Sequence, residues 1–86
     1  MRIREIKIHV RTIQDVHKFV NLASKYDIDA DVYAVNNGRH VVPANSILGI
    51  FSLDLTQDLK LVIVKGDENN IMLFVRECES AGWVVE

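Results

Sequence analysis

The chain contains few of the residues that mark extracellular or metal-binding proteins. Its 86 residues include one cysteine, one proline, four glycines and three histidines. A single cysteine excludes a disulfide within the chain and fits a reducing cytosol, so we expect a cytoplasmic protein. No two histidines stand at a metal-ligand spacing with Cys78 or with a carboxylate. The sequence therefore predicts no metal site, and it indicates no cofactor.

Charge of one sign and long apolar runs are also lacking. The formal net charge is −2 and there is no basic run, so a nucleic-acid surface has no electrostatic support. No apolar stretch approaches the length of a membrane span, and the N-terminus has no signal-peptide core. The 49% hydrophobic and 26% charged residues are typical of a globular protein. We expect one domain over residues 1–86, with neither nucleic acid nor a membrane as partner.

What is present begins with a strand and an amphipathic helix. Apolar and polar residues alternate over 6–10, the period of a half-buried strand, which places His9 on its solvent side. Thr12 with Asp15 three residues later predicts an N-cap and a helix over 13–25. The predicted apolar face of this helix consists of Ile13, Val16, Phe19, Val20 and Ala23.

A hairpin is predicted next. Asn36, Asn37 and Gly38 separate two stretches rich in β-branched or aromatic residues, over 31–35 and 39–42. Asn-Gly supplies the positive φ of tight hairpin turns, so these stretches are predicted to pair antiparallel, with His40 in the second strand. Pro43 cannot donate to a ladder and should end that strand.

The rest of the chain predicts two helices around a central strand. Ser46 can cap a short helix, 59–64 is the most apolar strand candidate, and Asp67 can cap a last helix that ends near Gly82. The core side of that last helix is predicted to carry Ile71, Phe74, Val75 and Cys78. Residues 83–85 form an apolar tail that can fold back. The order β-α-β-β-α-β-α predicts an α+β open-faced β-sandwich: about four mostly antiparallel strands with three helices on one face.

Two segments resemble a known family. Residues 46–53 read Ser-Ile-Leu-Gly-Ile-Phe-Ser-Leu, and residues 23–27 read Ala-Ser-Lys-Tyr-Asp. Both segments, and the predicted order of elements, resemble HPr, the histidine-containing phosphocarrier of the bacterial sugar phosphotransferase system. The resemblance covers nearly the whole chain and implies the HPr fold. No nucleophile–base pair or phosphate-cradling glycine loop is visible, so we do not expect an enzyme in its own right.

The family's His-x-Arg-Pro signature is missing at the start of the first helix. Counting back from residues 23–27 without gaps puts Thr12 at the histidine position and Asp15 at the proline position. Threonine has no imidazole to form a phosphoramidate, and Asp15 would repel an incoming phosphate, so this alignment predicts no carrier chemistry. The alternative takes His9 and Arg11 as a displaced histidine and arginine. It requires a three-residue insertion and removes His9 from the predicted strand.

Ser46 has two compatible roles. Serine is among the best helix N-caps, and the resemblance implies the phosphoacceptor serine of HPr proteins from low-GC Gram-positive bacteria. A phosphate at a helix N-terminus is favoured by the dipole and the free N–H groups. The resemblance also implies that Ile47, Leu48 and Phe51 form a patch for partner proteins. A helix this short cannot bury them all together with Ile50, so we expect at least one to be exposed.

Three functional hypotheses follow. The leading one is a non-catalytic regulatory or protein-binding module, related to the phosphotransferase system and switched by phosphorylation of Ser46. Its implied partners are proteins: an HPr kinase, a transcriptional regulator or components of the phosphotransferase system. The second is a phosphocarrier that relays a phosphoryl group through His9. The third is an HPr-fold scaffold or subunit without phosphorylation, which would bury residues 47–51 or 83–85 between chains.

Other carboxylates, Asp58 among them, are expected to lie on solvated surface without a paired partner.

Overall fold

The computed structural model describes residues 4–85. The elements follow the predicted order: β1 (Arg4–Ile8), α1 (Ile13–Lys25), β2 (Asp29–Ala34), β3 (Val42–Pro43), α2 (Ile47–Phe51), β4 (Leu59–Lys65) and α3 (Glu68–Ser80). The strands form one antiparallel sheet in the order β1-β4-β2-β3, and the three helices cover one face of it. This is the predicted α+β open-faced β-sandwich. Within residues 4–85, no helix is long and apolar enough to cross a membrane.

The core lies between the sheet and the helices because apolar residues alternate along the strands. In β4, which is the predicted central strand, Leu59, Leu61 and Ile63 are buried while the residues between them lie on the other face. The helices add two clusters: Val16, Phe19, Val20 and Ala23 from α1, and Phe74, Val75 and Cys78 from α3. The Phe19 ring lies 5.9 Å from the rings of both Phe74 and Trp83, measured between centroids.

The two long helices end in the same way. After α1, Asp27 adopts a left-handed φ of 53°, and the next N–H, of Ile28, donates to the Ala23 carbonyl at 2.9 Å. After α3, Gly82 has φ 78° and the Trp83 N–H donates to Cys78 at 3.1 Å. Each is a Schellman motif, in which a left-handed residue turns the chain and satisfies the last carbonyls. The second motif directs Trp83 into the core.

The C-terminal tail folds back onto the sheet, as predicted. Trp83 is buried, its carbonyl accepts from His9 N–H at 2.7 Å, and Val84 forms an antiparallel bridge with Ile8. The Val85 N–H donates to the Lys7 carbonyl at 2.8 Å. Trp83 therefore belongs to the core of its own chain, while Val84 and Val85 stay half-buried beside β1.

Two predictions for individual elements are wrong. Ile13, which the sequence predicts on the core face of α1, is 68% exposed because it occupies the first position of the helix, beyond the edge of the sheet-facing stripe. The second hairpin strand covers only Val42–Pro43 rather than 39–42. It ends at Pro43, as predicted.

The tight Asn-Gly turn is also absent. The register pairs Val32 with Val42, so β2 extends past its pairing with β3, residues 35–41 form a wider connection, and His40 lies in it rather than in a strand. Asn37 N–H donates to the Ala34 carbonyl at 2.9 Å, which closes a turn directly after β2. Gly38 does not have a positive φ and lies under the ring of Tyr33. The turn is therefore centred on Val35-Asn36, two residues before the Asn37-Gly38 centre that the sequence predicts.

Candidate functional site

Helix α2 is held at its N-terminus by Ser46. The Ser46 Oγ accepts a hydrogen bond from the Gly49 N–H at 3.1 Å, the geometry of an N-cap. Glycine is required at position 49 for a steric reason. A Cβ there would lie 2.9 Å from Ser46 Oγ and 3.0 Å from the Cβ of Val42. The cap and the close approach of α2 to β3 therefore fix the position of the Ser46 hydroxyl, which is half-buried.

The residues that follow Ser46 divide between core and surface. Ile50 is fully buried and Ile47 packs partly against the core, whereas Leu48 is 80% exposed and Phe51 is 38% exposed. We call Ile47, Leu48 and Phe51 the α2 surface. The ring of His17 on α1 meets Phe51 edge-on, with 6.3 Å between centroids. The sequence-predicted partner residues are thus brought together, and α1 adds His17 beside them.

The C-terminal end of α2 is fixed by a second serine. The Ser52 hydroxyl donates to the Gly49 carbonyl at 2.5 Å, and its oxygen lies 2.7 Å from His40 Nε2. Because the hydroxyl proton is used on the carbonyl, His40 Nε2 must be the donor to Ser52. Ser52 thus terminates α2, and the connection over residues 35–41 is tied to that end through His40.

The entrance to α1 is built differently. The Thr12 hydroxyl accepts from the Asp15 N–H at 3.0 Å and so serves as the N-cap of α1, as the sequence predicts. His9 is not in the strand, which ends at Ile8. Its Nδ1 lies 3.5 Å from a carboxylate oxygen of Asp58, and Arg11 reaches the same oxygen at 3.9 Å. The expectation that Asp58 has no paired partner is therefore wrong.

The pairing register explains how Asp58 reaches His9. In the antiparallel β1–β4 ladder Ile8 is opposite Leu59. His9, the residue after β1, and Asp58, the residue before β4, therefore lie together at the same end of this ladder. The role of Asp58 is not visible in the sequence because this contact depends on the register of two strands far apart in the chain. If the buried residues Ile8 and Leu59 are taken as a cross-strand pair, the residues next to them, His9 and Asp58, are expected to be neighbours.

The helix N-termini differ in their charge. Both long helices have an acidic residue in the first turn, Asp15 in α1 and Glu68 in α3, while the first turn of α2 has none. An anion at Ser46 would thus meet free helical N–H groups without a carboxylate from its own helix. The same charge at Thr12 would lie beside Asp15.

Two further groups are shifted in pKa without forming part of this site. Hydrogen bonds from the Thr56 hydroxyl and N–H lower the pKa of the Asp54 carboxyl, which stabilises the turn before β4. Burial raises the pKa of the Cys78 thiol to about 12, and Glu77 and Glu79 add to the effect. Cys78 is consequently a protonated core residue at neutral pH. No cluster of three potential metal ligands occurs in the part of the chain that the structure describes.

Comparisons with known proteins indicate the family of the chain. The family described as "PTS HPr component phosphorylation site" matches residues 5–73. A search of curated proteins found no match. Among solved structures, HPr-C-His from Thermoanaerobacter tengcongensis is 33% identical, with a TM-score of 0.67 and 93% of each chain covered.

A second solved structure supports the fold alone. The phosphocarrier protein HPr from Bacillus anthracis str. Ames is 18% identical, with a TM-score of 0.61, over 86% of this chain and 94% of that one. The family match extends from β1 into α3 and thus includes both Thr12 and Ser46. The chain therefore belongs to the HPr family of the bacterial sugar phosphotransferase system.

Proposed function

We propose that this chain is a regulatory, protein-binding member of the HPr family that acts in the bacterial cytoplasm and is switched by phosphorylation of Ser46. The observation that carries the proposal is the arrangement at α2. The Ser46 hydroxyl stands at the start of the helix, and Leu48, two residues on, is 80% exposed. A phosphoryl group on Ser46 would add about 1.5 to 2 negative charges beside apolar side chains that a partner covers.

The local charge supports Ser46 as the acceptor. Phosphorylation replaces the neutral Oγ that accepts from Gly49 with phosphate oxygens, which are stronger acceptors for the same N–H. No acidic residue lies in the first turn of α2 to oppose the new charge. The helix should therefore keep its cap when the serine is modified. The main effect of the phosphate should be the added negative charge at the α2 surface.

The entrance to α1 favours a regulator over a phosphohistidine carrier. Thr12, at the family's histidine position, has a hydroxyl that is used as a helix cap. The imidazole of His9, three residues before Thr12 in the chain, faces Asp58 through Nδ1, and the Arg11 guanidinium lies by the same carboxylate. The Asp58 carboxylate thus places a negative charge beside both side chains, which would oppose the approach of an anionic phosphoryl group.

The test is phosphorylation by an HPr serine kinase with ATP, followed by intact mass. We expect one phosphoryl addition in the wild type and in Thr12→Ala, and none in Ser46→Ala. Thr12 is the matched control because it is also a hydroxyl N-cap of a helix. An unmodified wild type, in a tube where ordinary HPr is labelled, would reject Ser46 as the switch.

A phosphocarrier that uses His9 is the second candidate, since Asp58 brings His9 and Arg11 together at the edge of the sheet. It requires labelling by enzyme I and phosphoenolpyruvate. Labelling that persists in Ser46→Ala and is lost in His9→Ala would favour this carrier over the regulator. Absence of labelling with an active enzyme I would eliminate it.

A further inference from the structure

The face of the sheet opposite the helices carries an ordered set of charges. Residues on this face alternate with the buried ones, so β1 contributes Glu5 and Lys7, β4 contributes Lys60 and Val62, and β2 contributes Asp31 and Tyr33. The described helices all pack on the other face. The β4 and β2 members are half-buried by their neighbours, while Glu5 and Lys7 are exposed.

The strand register sorts these residues into two rows that cross the sheet. Val62 is paired with Glu5 on one side and Asp31 on the other, which gives the acidic row Glu5–Val62–Asp31. Lys60 is paired with Lys7 and Tyr33, which gives the basic row Lys7–Lys60–Tyr33. Since the rows lie two residues apart along each strand, they run parallel at about 6.7 Å from each other.

None of the four charged groups in the rows forms a salt bridge within residues 4–85. The contacts between acidic and basic groups found there, of His9 and Arg11 with Asp58, lie outside the rows. Lys7 and Lys60 lie directly opposite each other on adjacent strands, an arrangement of like charges that destabilises a sheet. An opposing surface with carboxylates over the basic row would remove this repulsion.

We propose that the open face of the sheet binds a second copy of this chain, with the acidic row of each copy on the basic row of the other. Consider a two-fold axis that lies in the plane of contact, midway between the two rows and parallel to them. Rotation about this axis places the acidic row of the second copy over the basic row of the first. Each strand then lies over the same strand of the other copy. The face is thus complementary to itself, as a two-fold interface requires.

The axis determines which side chains face each other across the interface. Glu5 of one copy meets Lys7 of the second copy, and by symmetry this pair forms twice. Lys60 lies over Val62 of the second copy, with its stem on the valine and its ammonium between the carboxylates of Glu5 and Asp31. Tyr33 meets Asp31, which can accept from the phenol hydroxyl.

The size of the face sets the strength of the contact. Three strands at about 4.8 Å spacing and two rows give an interface smaller than the roughly 1,200 Å² of a standard complex. The dimer should therefore be weak, and because charges dominate it, its affinity should fall as the Debye length shortens from about 30 Å at 0.01 M salt to about 3 Å at 1 M.

Sedimentation velocity of the full chain, at low and high salt up to about 1 mM protein, tests the proposal. We expect concentration-dependent dimers at low salt that dissociate at high salt. Glu5→Lys and Lys7→Glu should each weaken self-association at least about tenfold, because like charges then meet across the axis. Lys18→Glu and Glu79→Lys, exposed on the helices, change the net charge equally and should leave the dimer intact.

A mixture of the two single variants is the decisive arm. In the Glu5→Lys/Lys7→Glu heterodimer, both pairs across the axis join opposite charges, so two variants that fail alone should associate when mixed. A wild type that stays monomeric throughout would overturn the proposal. So would a dimer that the two row variants leave unchanged, or a mixture that behaves as the average of its components.

Discussion

Leu48 on α2 and Leu73 on α3 are both exposed leucines, so Leu73 can serve as the control for Leu48. Leu48 is 80% exposed and Leu73 is 38% exposed. If a kinase docks on the α2 surface to reach Ser46, Leu48→Asp should lower kcat/KM for phosphorylation at least tenfold, about 1.4 kcal/mol of lost transition-state binding. Leu73→Asp should leave it within twofold. Steady-state kinetics with an HPr serine kinase measures both. Equal losses in the two variants would remove the α2 surface from the recognition of Ser46.

Cys78 shows how burial controls the chemistry of one residue. Its pKa is raised from 9.0 to about 12, so the folded protein keeps the neutral thiol. Burial thus stabilises the fold below pH 9, and this contribution is lost as the pH rises from about 9 toward 12. At pH 8 the thiolate fraction should be roughly 1,000-fold lower than in the unfolded chain, and alkylation by iodoacetamide should slow accordingly. Mass spectrometry in buffer and in urea measures this; equal rates would contradict the burial.

At the scale of elements, local signals were sufficient for the helices. Thr12, Ser46 and Asp67 each cap the helix that the sequence assigned to them, because an N-cap acts within three residues of itself. The hairpin failed because its register is set from a distance. Val42 must be buried opposite Val32, and this requirement overrides the local preference of Asn37-Gly38 for a tight turn.

The repulsion between Lys7 and Lys60 in the β1–β4 ladder supports a prediction about stability. Lys7→Glu replaces the like-charge pair with Lys60 by an opposite-charge pair, and should raise the free energy of unfolding by about 0.2–1 kcal/mol at low salt. Urea denaturation at protein concentrations low enough for a monomer measures it, and high salt should abolish the gain. Lys18→Glu, exposed on α1, is the control for net charge. A gain of the same size in that control would indicate a general charge effect.

For the whole molecule, Trp83 of the C-terminal tail is as much a part of the core as the buried residues of the helices. Trp83 packs edge-on against Phe19, and its Nε1 has no hydrogen-bond partner among residues 4–85. Trp83→Ala should therefore cost about 3–5 kcal/mol of stability, while Trp83→Phe, which keeps a ring and loses no hydrogen bond, should cost less than half as much. Urea unfolding followed by circular dichroism compares them. Equal costs would mean that the indole N–H is used.

The candidate site was predictable only where it is local. Ser46 and the residues after it lie within one turn of each other, so sequence pattern and resemblance could place them together. The pairing of His9 and Arg11 with Asp58 depends on which residues of β1 and β4 are opposite each other. The contact of His17 with Phe51 likewise depends on how α1 packs beside α2. Neither packing nor register is fixed by short-range pattern.

The central claim, a serine switch in place of a histidine carrier, is tested most directly by the acid stability of the attached phosphate. The protein is incubated with both donors in one tube, ATP with HPr serine kinase and phosphoenolpyruvate with enzyme I, and its intact mass is measured before and after mild acid. A phosphoserine survives acid, whereas the P–N bond of a phosphohistidine is hydrolysed. We expect a single addition that remains after acid and is absent in Ser46→Ala. An addition that acid removes, and that His9→Ala lacks, would contradict the account.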